Sequence, residues 1–416
     1  MDHFHYKNGI YHAEDVALDA LAQDIGTPFY CYSTATLTRH YQVFSSHFPD
    51  AKICYAVKAN GNLAVVKTLA NLGSGADVVS EGEIRLALAA GIKPQDIVFS
   101  GVGKTASEMA YALNQNIFQF NVESIPELHL LSEMALAAGV KAQIAVRVNP
   151  DVDPKTHAKI ATGHKESKFG IGMGQAMEVY RLAAGLKGIE IQGVSVHIGS
   201  QLTHLEPFAQ AFARMRSFVG ELRAAGFPIN TLDLGGGLGI PYGNEEPPLP
   251  EAYAEIVRRE TDGLNCRLIF EPGRVLVGNA GILVTRVIYV KQSEGRFFVI
   301  VDAGMNDLIR PALYEAYHDI VPIIATGEGS TELVDVVGPV CETGDIFAEQ
   351  RLLKLPKAGD LLAFRTAGAY GAAMASTYNA RPLIAEIMVN GAQYAVIRPR
   401  QSYDELLRRD RLPEWL

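Results

Sequence analysis

Lys58 lies in the stretch Tyr55-Ala56-Val57-Lys58-Ala59-Asn60, just after an apolar run with β propensity and just before a helical pattern that begins at Leu63. A lysine at a strand end is either a solvated surface group or an amine held for chemistry. In the second case partial desolvation lowers its pKa so that it can attack a carbonyl. The ends of the other short apolar runs bear on the choice. They read Asp77, Ser100-Gly101, Asn121, Arg147-Val148-Asn149, His197, Gly235-Gly236-Gly237 and Glu271. One polar residue at a strand end is ordinary turn chemistry. A polar or glycine group at nearly every strand end of one sheet is harder to dismiss.

The glycine run Asp233-Leu234-Gly235-Gly236-Gly237-Leu238-Gly239 adds a second chemistry. Successive glycines let backbone N–H groups converge on one concavity, which is how phosphate is held. The spacing is not the dinucleotide fingerprint, and no ribose-binding acid follows on a second strand. With Glu271-Pro272-Gly273-Arg274 close behind it, the run suits a cofactor carrying one phosphate. An amine, a phosphate cradle and a carboxylate together point to pyridoxal 5'-phosphate. The carboxylate of Glu271 would keep the ring nitrogen protonated, and His197 would stack on the ring face.

These residues need a scaffold that brings strand ends together. Candidate strands are Lys52–Val57, Ala76–Val79, Ile97–Ser100, Ile117–Asn121, Gln143–Val148, Ile191–His197, Thr231–Leu234 and Arg267–Phe270. Amphipathic stretches such as Glu81–Ala90, Ile125–Ala138 and Leu205–Ala225 lie between them, apolar at helical spacing. Eight such units predict a parallel (β/α)8 barrel over residues 27–275, with the functional groups at the C-terminal ends of the strands. A doubly wound open sheet is the alternative, but the number and length of the units fit the barrel better.

The rhythm changes after Gly273. Gly281–Lys291, Arg296–Val301, Glu332–Val337, Asp360–Arg365, Ala385–Val389 and Gln393–Arg398 are β-rich and separated mainly by turns, and only Ser402–Arg409 reads as helix. Residues 276–416 are therefore expected to form an antiparallel β domain. Residues 1–26 join it, with Phe4–Tyr11 alternating around the turn signal Asn8-Gly9.

Composition narrows the class. The chain of 416 residues is 48% hydrophobic and 20% charged, as expected of a soluble globular protein. A net charge of −9 argues against nucleic acid as a partner. Cys31, Cys54, Cys266 and Cys341 lie far apart, so neither a disulfide framework nor a zinc site is expected. The N-terminus has no signal-peptide pattern, and no apolar run is long enough to span a membrane, which together suggest a cytoplasmic protein.

The motifs YAVKAN, NPDVDPKTHAKIATGHKESKFG, VHIGSQ, DLGGGLG, EPGR, CETGD and AGAYG resemble those of the fold-type III pyridoxal-phosphate decarboxylases. Among these the diaminopimelate decarboxylases are the nearest match, and the resemblance covers essentially the whole chain. YAVKAN and EPGR also occur in ornithine and arginine decarboxylases. The Asn149–Gly170 segment and Cys341-Glu342-Thr343-Gly344-Asp345 are more specific. The resemblance implies that Lys58 carries the cofactor as a Schiff base and that His197 stacks on it. It places Asp77 in the cofactor site and Glu271 at the ring nitrogen. Ser200, Gly236, Gly237, Gly273 and Arg274, with Tyr370, would take the phosphate. Arg274, Arg310 and Tyr314 would hold a distal substrate carboxylate, Tyr370 would also line the substrate site, and Glu342 would hold a distal ammonium. Cys341 would be the proton donor. The implied substrate is meso-diaminopimelate, and the implied assembly is a homodimer in which Cys341 and Glu342 reach the partner's cofactor.

Three rivals follow from the same features. A decarboxylase for ornithine, arginine or carboxynorspermidine needs no bidentate clamp for a second carboxylate, so Arg310 with Glu342 speaks against it. An amino-acid racemase usually places an arginine at the ring nitrogen, where this chain has Glu271. A barrel-fold cofactor carrier has no β domain and no substrate clamp.

Overall fold

A computed structural model describes residues 2–154, 168–325 and 330–416. The chain divides into two compact units, one formed by 38–241 with 245–276, the other by 2–37, 242–244 and 277–416. Residues 155–167 of the Asn149–Gly170 motif segment lie outside the described residues.

The first unit is a closed parallel barrel. Its strands are β1 (Lys52–Ala56), β2 (Gly75–Val78), β3 (Ile97–Phe99), β4 (Gln119–Val122), β5 (Ala142–Asn149), β6 (Ile189–Ser195), β7 (Thr231–Asp233) and β8 (Arg267–Phe270). Each pairs with the next, and the ring closes where Ile269 and Phe270 of β8 face Lys52 and Ile53 of β1. All eight coincide with the runs read from the sequence to within about two residues at either end. The helices between them bury one apolar face against the strands. An aromatic layer of Phe44, Phe48, Phe208, Tyr253 and Phe270 packs through edge-on, tilted and stacked pairs, with ring centroids 4.2–6.4 Å apart. The helices Glu81–Ala89 and Ile125–Ala137 start at Ser80 and Ser124, whose hydroxyls accept the backbone N–H groups of Glu83 and Glu127.

The second unit is built on one twisted sheet. Its strands run in the order Ile346–Lys354, Thr331–Val337, Arg296–Val301, Gly281–Ser293, Phe29–Ser33, Ala385–Asn390 and Gln393–Arg398. Leu361–Phe364 pairs with the first half of Gly281–Ser293 and with Ile320–Pro322. Most ladders are antiparallel, as expected of the β domain. Two are parallel: Phe29–Ser33 beside Ala385–Asn390, and Arg296–Val301 beside Thr331–Val337. Phe29–Ser33 is a sheet strand of this unit, so the structural division falls near residue 37, ten residues later than the break expected at 27. The N-terminal hairpin Phe4–Lys7 with Ile10–Ala13 forms around Asn8 and Gly9, both at positive φ. Its Phe4 and Tyr11 join the core of this unit with Phe29, Ile282, Val284 and Ile387. The C-terminal helix covers Tyr403–Leu407 and carries a capping box between Ser402 and Glu405.

Candidate active site

Lys58 stands on a single 3-10 turn, Val57–Ala59, directly after β1. The surrounding motif builds that turn. Tyr55 is fully buried and its hydroxyl donates to the Asn60 carbonyl at 3.0 Å. Asn60 Oδ1 accepts from the Asn62 N–H, and Asn62 in turn caps the helix Leu63–Asn71. Ala56 and Ala59 are small because Gly273 lies against them, where a Cβ added to that glycine would come within 3.1 Å of Ala56 Cβ and 3.2 Å of Ala59 Cβ. The turns after β1 and β8 are thus locked together, and Lys58 projects with 39% of its side chain exposed.

Its Nζ is 2.7 Å from Asp77 Oδ2 at the end of β2. Asp77 is completely buried, and its Oδ1 has no hydrogen-bond partner among the described residues. A buried carboxylate with one oxygen on an ammonium and the other unsatisfied is a site with spare accepting capacity.

His197 follows β6. Its Nδ1 accepts the Gly236 N–H at 3.2 Å, so the ring carries its proton on Nε2 and is neutral. Burial, then the positive charges of Arg147 and Lys58, hold its pKa well below the ordinary histidine range. Gly236 is required in that turn, since a Cβ there would lie 2.3 Å from the Glu271 carbonyl. Arg274, after β8, donates from Nη2 to Ser200 Oγ at 3.2 Å.

Glu271 closes β8 in a buried polar cluster. Asn121 Nδ2 lies 3.1 Å from Glu271 Oε1 and 2.9 Å from Asp233 Oδ2. Ser100 Oγ donates to Glu271 Oε1 at 3.3 Å. A relay inside the barrel supports Asn121. Thr231 Oγ1 donates to Gln119 Oε1 at 3.1 Å, and Gln119 Nε2 donates to Asn121 Oδ1 at 2.8 Å. Burial pushes the Glu271 carboxyl well above the usual range, and the Asp233 and Asp77 carboxylates push it further.

A second buried network fixes the neighbouring strand ends. Glu123 after β4 accepts from Arg147 Nη1 at 3.0 Å and from the N–H groups of Gly101 and Gly170. Lys104 donates to Glu127 and to the carbonyls of Gly101 and Asn121. Buried ion pairs of this kind hold loops in register, because losing one partner strands a charge.

The barrel therefore brings Lys58, Asp77, His197, Ser200, Gly236, Gly237, Glu271, Gly273 and Arg274 onto one mouth. Their chemistry fits pyridoxal phosphate: an amine, a carboxylate with an unused oxygen, a flat neutral imidazole, glycines where no side chain fits, and a buried carboxyl. Sequence reasoning did not single out Gln119, Thr231 or Asp233 as part of this site. The available signal is the two-residue period that puts Gln119 with Asn121, and Thr231 with Asp233, on one strand face.

The remaining candidates belong to the β unit. Arg310 opens the short helix Arg310–Tyr314 and is buried. Its guanidinium lies 4.4 Å over the Tyr242 ring, and Nη1 is 2.9 Å from His318 Nε2. His318 Nδ1 meets the Arg365 carbonyl at 2.9 Å, so the ring is neutral with its proton on Nδ1 and accepts from Arg310. Neither Tyr242 nor His318 is marked by any motif. Cys341 and Glu342 are exposed on a turn whose base is tied by Asp345, which accepts the N–H groups of Met305 and Val340. Tyr370, half-buried, sits at positive φ between Ala369 and Gly371. Among the described residues no helix is long and apolar enough to cross a membrane, and no cluster of metal-ligating side chains occurs.

Residues 34–278 match the family model described as pyridoxal-dependent decarboxylase, pyridoxal binding domain. The chain is 51% identical to the diaminopimelate decarboxylase of Zymomonas mobilis, over 99% of both chains. It is 50% identical to that of Vibrio cholerae, over 98% of both. The crystal structure of diaminopimelate decarboxylase from Helicobacter pylori complexed with L-lysine superposes with a TM-score of 0.91 at 44% identity, covering 94% of this chain and 98% of that one.

Proposed function

The chain belongs to the pyridoxal-dependent decarboxylases and, among them, to the diaminopimelate decarboxylases, and on that footing we propose that it binds pyridoxal 5'-phosphate and converts meso-2,6-diaminopimelate to L-lysine and carbon dioxide, the closing step of lysine biosynthesis. The observation that carries this reading is the pairing at the barrel mouth: the Lys58 amine on buried Asp77, with Glu271 buried beside Asp233 at the end of β8.

Lys58 anchors the cofactor covalently, and Asp77 holds its ammonium in place beforehand. Gly236, Gly237, Gly273, Ser200 and Arg274 take the phosphate, joined by Tyr370. Glu271 would serve the ring nitrogen. His197 would offer the ring an uncharged surface, and its Nδ1 bond to Gly236 couples its orientation to the glycine turn. The cofactor would supply an electron sink for the pair released from the bond between Cα and the carboxylate. Cys341 Sγ would supply the proton to that carbon. The far end of the substrate carries both an ammonium and a carboxylate, so it needs two opposite charges. Glu342 meets the ammonium, and Arg310, Tyr314 and Arg274 meet the carboxylate, a guanidinium pairing bidentately with it.

By the family resemblance the working unit is a homodimer, with Cys341 and Glu342 serving the cofactor of the other subunit. The test is to incubate the enzyme and cofactor with meso-diaminopimelate while following carbon dioxide and lysine, with ornithine and arginine as controls. Lysine and carbon dioxide in equal amounts, from diaminopimelate in clear preference to the controls, are expected. Turnover of ornithine or arginine in preference would overturn the assignment.

A further inference from the structure

Asp233 is fully buried at the end of β7, one strand from Glu271, and a single amide holds the two together: Asn121 Nδ2 lies 2.9 Å from Asp233 Oδ2 and 3.1 Å from Glu271 Oε1. Two buried carboxyl groups gathered on one amide cannot both carry full charge cheaply, and one proton between them relieves the repulsion. Among the described residues, the buried cations nearest the strand ends, Lys104 and Arg147, are already paired with Glu127 and Glu123 and do not replace that proton. Asn121 donates to both carboxyls and Ser100 to Glu271, and the Gly235 N–H donates to Asp233 Oδ1 at 2.9 Å. The charged group of opposite sign that acts on Glu271 is Lys58, and it is engaged with Asp77. Asp77 adds a like charge, and the other titratable neighbours of the pair, Cys54 and Tyr253, are themselves pushed toward their neutral forms by burial. Burial raises both carboxyls, but Asp233 accepts two amide N–H groups, from Asn121 and Gly235, where Glu271 accepts one amide and the weaker Ser100 hydroxyl at 3.3 Å, so Asp233 is the partner that ionises first. Glu271 is the one that keeps the proton, its carboxyl held far above the ordinary range by burial and by Asp233.

We propose that Asp233 and Glu271 share one buried proton before any cofactor arrives, with Asn121 orienting the pair, and that this is the proton the pyridine nitrogen receives on binding. The step balances without a further reactant: the O–H bond of Glu271 breaks, an N–H bond forms on the ring, and Glu271 is left as the counter-carboxylate. Asp233 is thereby a positioning residue that sets the protonation of Glu271. The inference rests on the reading that pyridoxal phosphate is the cofactor, and it deepens that reading by saying where the ring's charge comes from.

The experiment is infrared difference spectroscopy on the full chain, stripped of cofactor and then reloaded. The stripped wild type is expected to show the C=O stretch of a protonated carboxyl at about pH 7 that Glu271→Gln lacks. Reloading with pyridoxal phosphate should abolish the band. Reloading with the deaza analogue, which has a C–H in place of the ring nitrogen, should leave it. Asp233→Asn keeps an acceptor for the Gly235 N–H and removes only the like charge, so the band should titrate lower by about one pH unit or more. If that variant does not fold, the contrast between the two cofactors in the wild type still decides. No such band in the stripped chain, a band that survives pyridoxal phosphate, or an unmoved midpoint in Asp233→Asn would each overturn the proposal. A chain that takes up no pyridoxal phosphate overturns the functional reading and the proton's destination, while the shared proton is judged on the stripped chain alone.

Discussion

The barrel mouth and the Cys341–Asp345 turn hold their candidate functional residues in opposite ways. At the mouth each group leans on another: Lys58 on Asp77, His197 on Gly236, Glu271 on Asn121 and Ser100, Arg147 on Glu123. On the turn, Asp345 is fixed and carries the backbone, while Cys341 and Glu342 stand exposed above it. The first arrangement suits groups whose charge states must be set before reaction, because preorganised dipoles cost nothing to reorient. The second suits groups that must meet something arriving from outside, whether substrate or a second subunit. Arg310 is the intermediate case, since it lies in the β unit yet is locked by Tyr242 and His318. A guanidinium that has to present a flat fork to a carboxylate gains from being held still.

The largest effect is expected at Lys58. Lys58→Ala should lose the visible absorbance of bound cofactor and all measurable turnover, checked by spectrum and assay after dialysis. Normal activity with retained absorbance would remove the mouth from the chemistry altogether.

Glu271→Gln comes next. It keeps shape and burial but cannot ionise to match a protonated ring nitrogen. Cofactor binding should survive while kcat falls by several powers of ten, each costing about 1.4 kcal/mol of barrier. A kcat within a few-fold of wild type would mean that this buried carboxyl is structural only.

Cys341→Ala should also be inactive, but with an unchanged melting temperature, since an exposed thiol contributes little to packing. Mixing it with Lys58→Ala tests where the turn acts. If each Cys341 serves the other subunit, a hybrid dimer puts both lesions in one site and leaves its second site intact. Random exchange makes about half the dimers hybrid, so roughly a quarter of wild-type activity should return. If Cys341 serves its own subunit, both hybrid sites carry a lesion and nothing returns, even where subunit exchange is demonstrated.

How legible these regions were in the sequence follows the same divide. The barrel strands are short apolar runs between helical patterns and could be read directly, and the residues proposed to react stand at their ends as polar breaks in those runs. The polar relay Thr231–Gln119–Asn121 was not legible, because a barrel interior that holds a cofactor over a hydrogen-bonded floor breaks the rule that inward positions are apolar. In the β unit, Ile346–Lys354 was missed as a strand. Its Ala-Glu-Gln-Arg-Leu-Leu-Lys run has helix-forming composition, and pairing with Thr331–Val337 overrides that preference. Phe29–Ser33 is buried on both faces and shows no alternation, so nothing local assigned it to a sheet whose other strands begin only at Gly281. The contact of Arg310 with His318 is a product of tertiary packing and leaves no mark on the motif around Arg310.

The smallest expected effect concerns pH and stability, and it compares one carboxyl in each unit. Glu83, near the Lys58 turn, is raised by burial from 4.5 to about 7, although it accepts the Val79 N–H. Asp307 in the β unit is raised by burial from 3.8 to about 6, although it accepts the Gly304 N–H. Both folded values lie above the unfolded ones. Each group therefore contributes stability that is fully present below its unfolded pKa and is lost as pH rises through its folded pKa. A tenfold change in proton affinity is worth about 1.4 kcal/mol, so the loss is of order 1–3 kcal/mol for each, with Glu83 nearer the lower figure because it is partly solvated. Glu83→Gln and Asp307→Asn cannot ionise and should lack this loss. In urea melts of the cofactor-free protein, the stability of each variant relative to wild type should rise with pH. For Asp307→Asn the rise should be complete soon after about pH 6, and for Glu83→Gln it should continue to about pH 7 or slightly beyond. A difference that stays flat with pH for Glu83→Gln would mean that Glu83 is solvated in the folded state and that the barrel mouth is wetter than its buried neighbours imply.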